Sequence, residues 1–166
     1  KVSCVRFKNV PSFVQILDEE LHVPGLGTIR YDLAFGGAFY AFVDAAQVGL
    51  DCSPEFHSKL TAAGMKIKKA IMAAVEMKHP TEPDMNFLYG TIFTGPAREK
   101  GNHSRNVCIF ADGQVDRCPT GTGVSARAAI HHARGEIKVG ESITIESIID
   151  STFAVQVTAA TKFGPY

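Results

Sequence analysis

At 166 residues the chain has the length of one domain and can bury a sizeable core. Hydrophobic residues make up 45% of it and charged residues 20%, and 17 Lys and Arg balance 17 Asp and Glu. That balance gives no pull toward nucleic acid or an anionic membrane, and no apolar run approaches the roughly 18 residues needed to span a bilayer.

Val2 to Phe7 and Phe13 to Leu17 alternate well enough to be two strands around an Asn9-Val10-Pro11 turn. Leu21 to Val23 reads as a short continuation, with Pro24-Gly25-Leu26-Gly27 making the next turn. Thr28 to Phe35 and Ala38 to Val43 form a hairpin about Gly36-Gly37, a pair suited to positive φ. Phe35, Phe39, Tyr40 and Phe42 give this hairpin a large apolar face, and core packing accounts for most of them. Ser53-Pro54 opens a helix, with Ser53 as cap and Pro54 in the first position, and the helix is expected to reach about Lys78. Leu60, Ala63, Ile67, Ala70, Ile71, Ala74 and Val75 make its buried stripe, and Lys59, Lys66, Lys68 and Lys69 its wet face.

His79-Pro80 ends that helix, because the residue before proline resists the α region. Asn86 to Thr94 is a strand, residues 95–104 are a polar, mobile loop, and Arg105 to Phe110 is the next strand. A second helix runs from Val124 to about Arg134 and stops at Gly135. Its Ala126, Ala128 and Ala129 suit a helix enclosed by sheet. Glu141 to Ile149 and Thr152 to Ala160 are the last two strands. About nine strands and two helices in this order predict a single α+β domain over residues 1–166.

Cys4, Cys52, Cys108 and Cys118 show no C-x-x-C spacing, and a chain of this size needs no disulfide framework. They read as free thiols in a reducing, cytoplasmic compartment. The adjacent His131 and His132 diverge on a helix, and no H-E-x-x-H occurs, so no metal is expected.

The stretch from Phe110 to Arg134 carries the chemistry. A strand enters a polar turn, and the elbow Pro119-Thr120-Gly121-Thr122-Gly123 opens a helix of small residues. Glycines let backbone N–H groups approach a ligand, and a helix start leaves its first N–H groups without intrahelical partners. The result suits a carboxylate or phosphate. Asp116, four residues before Thr120, could face a cationic group on the same ligand, which favours an amino acid over a nucleotide. The same residues also satisfy a plain helix start capped by Thr120 or Thr122. Neither a P-loop nor a complete dinucleotide fingerprint is present.

Asp116-Arg117-Cys118-Pro119-Thr120-Gly121-Thr122-Gly123 resembles the second active-site motif of the proline racemase family, Asp-Arg-Ser-Pro-Cys-Gly-Thr-Gly. The similarity continues through Phe35 to Ala41 and His79-Pro80, so it spans most of the chain. The family includes proline racemase, 4-hydroxyproline 2-epimerase and trans-3-hydroxy-L-proline dehydratase. Thr120 stands where the racemases and epimerases carry a cysteine, as in the dehydratase subgroup. The resemblance implies one lobe of the diaminopimelate-epimerase-like fold. There a curved, barrel-like, mostly antiparallel sheet wraps a central helix, with one outer helix, and two such lobes enclose the substrate.

The resemblance also implies chemistry without pyridoxal phosphate, metal or other cofactor. Paired helix N-termini stabilise charge at the substrate carboxylate as the α-proton leaves. Here the N–H groups around Gly121, Thr122 and Gly123 would supply one half. Asp116 would hold the ring nitrogen, and Phe110 would pack on the ring or serve only in the core. Phe39 and Tyr40 would support the site from behind. A hydroxyl at Thr120 does not ionise usefully near neutral pH, which removes the two-thiol symmetry of a racemase. One base can still take the α-proton while the 3-hydroxyl departs, and Thr120 would then orient the substrate.

The base of the family lies in a Met-Cys-Gly-His motif, which this chain lacks. Cys118 occupies the motif's serine position, two residues from the expected cysteine, and is a poor substitute. The chain is therefore expected to be an excised second lobe, inactive alone, whose partner is the missing first lobe of the same polypeptide. A proline derivative is the expected small-molecule ligand. Relatives pair, so a homodimer is compatible with the resemblance. Two other readings stay open: a proline racemase or hydroxyproline 2-epimerase, and a non-catalytic amino-acid-binding module.

Overall fold

A computed structural model describes residues 2–166, and it arranges them as eight strands and two α-helices. In chain order these are β1 (Phe13–Val23), β2 (Gly27–Phe35), β3 (Phe39–Asp44), α1 (His57–Ala74), β4 (Leu88–Gly95), β5 (Ser104–Phe110), β6 (Gln114–Val115), α2 (Gly121–Ala133), β7 (Ser142–Glu146) and β8 (Thr152–Gln156). One sheet runs β1-β2-β3-β4-β5-β7-β8, with β6 paired to β5. Two neighbouring pairs, β3 with β4 and β5 with β7, are parallel, and the rest are antiparallel. Parallel neighbours need a long crossover. Helix α1 makes the first and α2 the second.

The strands divide their side chains between the two helices with the period of two that a pleated strand imposes. Phe39, Ala41 and Val43 of β3 enter the core that holds Leu60, Ala63, Ile67 and Ile71 of α1. Tyr40 and Phe42, on the opposite face, join Ala126 and Ile130 of α2. The two helices are not equivalent. α1 buries Leu60, Ala63, Gly64, Ile67 and Ile71 and leaves its other side to solvent, whereas α2 buries Gly123, Val124, Ala126, Arg127, Ala128, Ile130 and His131. α2 packs against β1, β2 and β3 at one end of the sheet and β8 at the other. The sheet thus curls around α2 and stays open between β1 and β8. α2 is the central helix and α1 the outer one, as expected.

Close backbone approach explains two glycines. A Cβ at Gly36 would stand 2.2 Å from the carbonyl oxygen of Thr122, so the β2–β3 turn rests directly on the first turn of α2. Gly37, not Gly36, supplies the positive φ (117°).

Several expected boundaries move. Val2 to Phe7 is not a strand: Val2, Val5 and Phe7 are exposed, so neither face of its alternation buries apolar surface that would offset ordering it. Phe13 to Val23 is one strand rather than two pieces, interrupted by register irregularities around Ile16 and by Asp18 at φ 55°. The expected helix from Pro54 begins as a short 3-10 turn, and Ser53 makes no side-chain cap. α1 ends at Ala74 because Val75 turns extended and Gln15 holds the next residues to β1, bonding the Glu76 oxygen and the Lys78 N–H. The 95–104 loop is tied down rather than mobile. The Glu146 carboxylate accepts the backbone N–H groups of Arg98 and Glu99 and the side-chain amide of Asn102. Arg105 pairs with Glu146 from below, at 2.8 Å, with both side chains buried.

Candidate active site

The elbow forms at the start of α2. The first intrahelical bond runs from the Val124 N–H to the Thr120 oxygen at 2.8 Å. The N–H groups of Gly121, Thr122 and Gly123 therefore precede the intrahelical ladder and carry the partial positive end of the helix dipole. The helix starts three residues earlier than its apolar pattern suggests, because the glycines have no side chain to mark the pattern. No side chain caps it: Thr120 occupies the cap position but points its hydroxyl elsewhere.

Thr120 instead donates to Asp116 Oδ2 at 2.9 Å, and Cys118 N–H donates to Asp116 Oδ1 at 3.0 Å. Asp116 thus braces the turn with both oxygens, while each oxygen keeps a free lone pair for a cation. The Thr120 N–H reaches Cys118 Sγ at 3.3 Å. Burial raises the Cys118 thiol pKa, and the neighbouring Asp116 charge adds to the rise. Cys108 lies beneath the elbow and is pushed up to about 12 by burial.

Tyr40 reaches the elbow: its hydroxyl hydrogen-bonds Thr122 Oγ1 at 2.7 Å. Phe39 does not reach it, since strand alternation sends it to the α1 core. Phe110 is half-buried at the edge of the α2 core, with its ring stacked on Tyr89 at 5.6 Å between centroids. Tyr89 meets Tyr40 edge-on at 5.6 Å, so the three rings make one apolar wall leading to the elbow. Tyr89 was not legible as a site residue, because a tyrosine in a strand reads as ordinary core. Asn106 was also missed. It is 1% exposed and donates to the Pro119 oxygen at 3.2 Å, and nothing local marks it, since it follows Ser104 and Arg105 at the polar start of β5. Among the described residues no group of three or more His, Cys, Asp or Glu could hold a metal, and no helix is long and apolar enough to cross a membrane.

Anion-directed amides, a braced carboxylate and an apolar wall together fit a small ring that carries a carboxylate and an ammonium. Comparison with known proteins gives the same direction. The family model for proline racemase matches residues 1–166. The chain is 49% identical to a trans-3-hydroxy-L-proline dehydratase from Colwellia psychrerythraea over 165 residues, 99% of this chain and 46% of that protein. It is 39% identical to a proline racemase from Clostridioides difficile over 167 residues, all of this chain and 50% of that one. A hydroxyproline epimerase from Agrobacterium vitis, solved with trans-4-hydroxy-L-proline bound, superposes with a TM-score of 0.90 at 38% identity, over 95% of this chain and 45% of that one. The chain spans about half the length of the curated relatives it matches. Matched along its whole length by the family model, the chain belongs to the proline racemase family.

Proposed function

We propose that this chain is the second lobe of a cofactor-independent enzyme that removes the α-proton of a proline derivative, and that the reaction is dehydration of trans-3-hydroxy-L-proline. The observation that carries the reading is Thr120: a hydroxyl bonded to Asp116 stands where the family's racemases and epimerases place a thiol, directly before the amides of Gly121, Thr122 and Gly123. Those amides would receive the substrate carboxylate, Asp116 its ring nitrogen, and Phe110 its apolar ring face. As the α-proton leaves, negative charge flows into the carboxylate, where fixed dipoles stabilise it without reorganisation.

The base is a cysteine of the first lobe, outside this chain, so the chain alone is inactive. The thiolate takes the α-proton. The electron pair of the C–H bond forms the C2–C3 ring double bond as the C3–O bond breaks, and the proton just taken by the thiol passes to the departing hydroxyl, which leaves as water and returns the thiolate. The enamine product then tautomerises to a pyrroline-2-carboxylate. Thr120 orients the substrate rather than moving the α-proton, since its hydroxyl does not ionise near neutral pH. The 49% identity to a dehydratase along nearly the whole chain supports this choice over racemisation. Proton NMR of the full-length polypeptide with trans-3-hydroxy-L-proline, trans-4-hydroxy-L-proline and L-proline, each offered separately, tests it. Consumption of the 3-hydroxylated substrate alone is expected. Conversion of either other compound to its epimer or enantiomer, with the first left intact, overturns it.

A further inference from the structure

Thr120 is β-branched, yet its backbone sits at φ 69° and ψ 103°. Such a conformation is strained for a β-branched residue and persists only where the surroundings impose it. The Thr120 hydroxyl bond to Asp116 is one restraint, but it lies within the turn and moves with the turn. Asn106 grips from outside. It sits in β5, buried, and its amide nitrogen donates to the Pro119 oxygen at 3.2 Å, on the peptide group that leads into Thr120. Its oxygen accepts from Arg127 Nη1 at 2.6 Å, and the same nitrogen donates to the Arg105 oxygen at 3.1 Å.

This arrangement fixes the direction of the amide. Arg127 has only donors, so it takes the Asn106 oxygen and turns the NH2 toward Pro119. The bonds then close a ring, from α2 through Arg127 to β5, from β5 through Asn106 to the turn, and from the turn back into the first residue of α2. In the low dielectric of a buried strand, both ends of Asn106 must be paired to be tolerated.

We propose that Asn106, oriented by Arg127, is a positioning residue that holds the Pro119–Thr120 peptide so that the amides of Gly121, Thr122 and Gly123 face the substrate carboxylate. The kinetic part of the test rests on the function proposed above; the spectroscopic part does not. Asn106→Asp in the full-length polypeptide keeps the shape and the acceptor for Arg127 but sets an oxygen against the Pro119 oxygen. With trans-3-hydroxy-L-proline, KM rises threefold or more while kcat falls about tenfold, because the same amides bind the ground state and stabilise the transition state. In the ligand-free protein the amide resonances of Thr120 to Gly123 shift, and those of β7 and β8 stay in place.

Should Asn106→Asp fail to fold, the pair Arg127→Lys and Arg127→Met decides. The lysine variant keeps a donor for Asn106 and retains wild-type KM and elbow resonances, and the methionine variant shows the changes expected of Asn106→Asp. A merely structural role predicts unchanged KM with kcat lowered in proportion to the folded fraction, and elbow resonances that do not move; that result overturns the proposal. If wild-type protein turns over none of the imino acids, the functional reading falls, and the elbow resonances still decide the positioning role.

Discussion

Replacing Gly36 with Ala tests how tightly the β2–β3 hairpin seats α2. The added Cβ would lie 2.2 Å from the Thr122 oxygen and 2.4 Å from the Ala126 nitrogen, both of them backbone atoms that no rotamer change can withdraw. A carbon ordinarily keeps about 3.3 Å from a carbonyl oxygen, so relief demands a shift of about 1 Å between hairpin and helix. Overpacking of this kind costs about 1–3 kcal/mol, and rigid neighbours place Gly36→Ala at the upper end. With a slope near 2 kcal/mol/M, the urea midpoint of the full-length protein falls by about 1.5 M. The shift also moves the elbow amides, and misplacement by about 1 Å can lower turnover about 100-fold. Gly121→Ala is the internal control. Nothing lies within 4 Å of its Cβ, so stability holds or rises by up to about 1 kcal/mol, from the better helix former, while the methyl crowds the proposed carboxylate site and activity is expected to fall. A Gly36→Ala midpoint within about 0.25 M of wild type would refute the argument that the hairpin and helix backbones are in contact.

Glu146 gives a pH signature. Burial alone would raise its pKa, but bonds from the Arg98 N–H, the Asn102 amide, the Glu99 N–H and Arg105 hold it at about 2, against an ordinary 4.5. Its stabilisation is complete above pH 4.5 and is lost as pH falls toward 2. Glu146→Gln, which removes the buried carboxylate paired with Arg105 and leaves that guanidinium the half-exposed Asp150 and the Cys52 oxygen, costs about 3 kcal/mol at pH 7 and flattens the acid limb of a urea-midpoint profile. Tyr40→Phe removes the partner of Thr122 Oγ1 and costs about 1 kcal/mol by thermal unfolding, with a raised KM for the imino acid. Iodoacetamide labelling followed by mass spectrometry should modify exposed Cys4 first and Cys118 slowly, with buried Cys52 and Cys108 protected until the protein unfolds.

The sequence made the elbow legible because its chemistry is local. Glycines, a proline and a helix start within a few residues announce a turn into a helix whose first amides lack intrahelical partners, wherever the chain folds around it. The alanines of α2 likewise announced a helix enclosed by sheet, and Gly36-Gly37 announced the hairpin. What stayed hidden depends on partners distant in sequence. Phe39 and Tyr40 are adjacent aromatics, and only the pairing of β3 with β4 decides which of them reaches Thr122. Charge in residues 95–104 suggested mobility, yet Glu146, more than forty positions on, collects the loop's amides. The alternation of Val2 to Phe7 promised a strand, but alternation makes a strand only where one face finds a core to cover, and Val2, Val5 and Phe7 are exposed. Asn106, after Ser104 and Arg105 at the polar start of β5, and Arg127 in α2 carry no local mark of each other, and their hydrogen bond emerges only when β5 and α2 are brought together.

The most direct test of the single-base account uses deuterium. Full-length protein is incubated with L-proline in D2O, alongside its Thr120→Cys variant, and the recovered proline is analysed for enantiomer and for deuterium at the α-carbon. Wild-type protein should return no D-proline, because no thiol stands at position 120 to deliver a proton to the opposite face. The Thr120→Cys variant should accumulate D-proline carrying α-deuterium. If the wild-type protein itself forms deuterated D-proline, a second acid operates in the site and the role assigned to Thr120 is wrong.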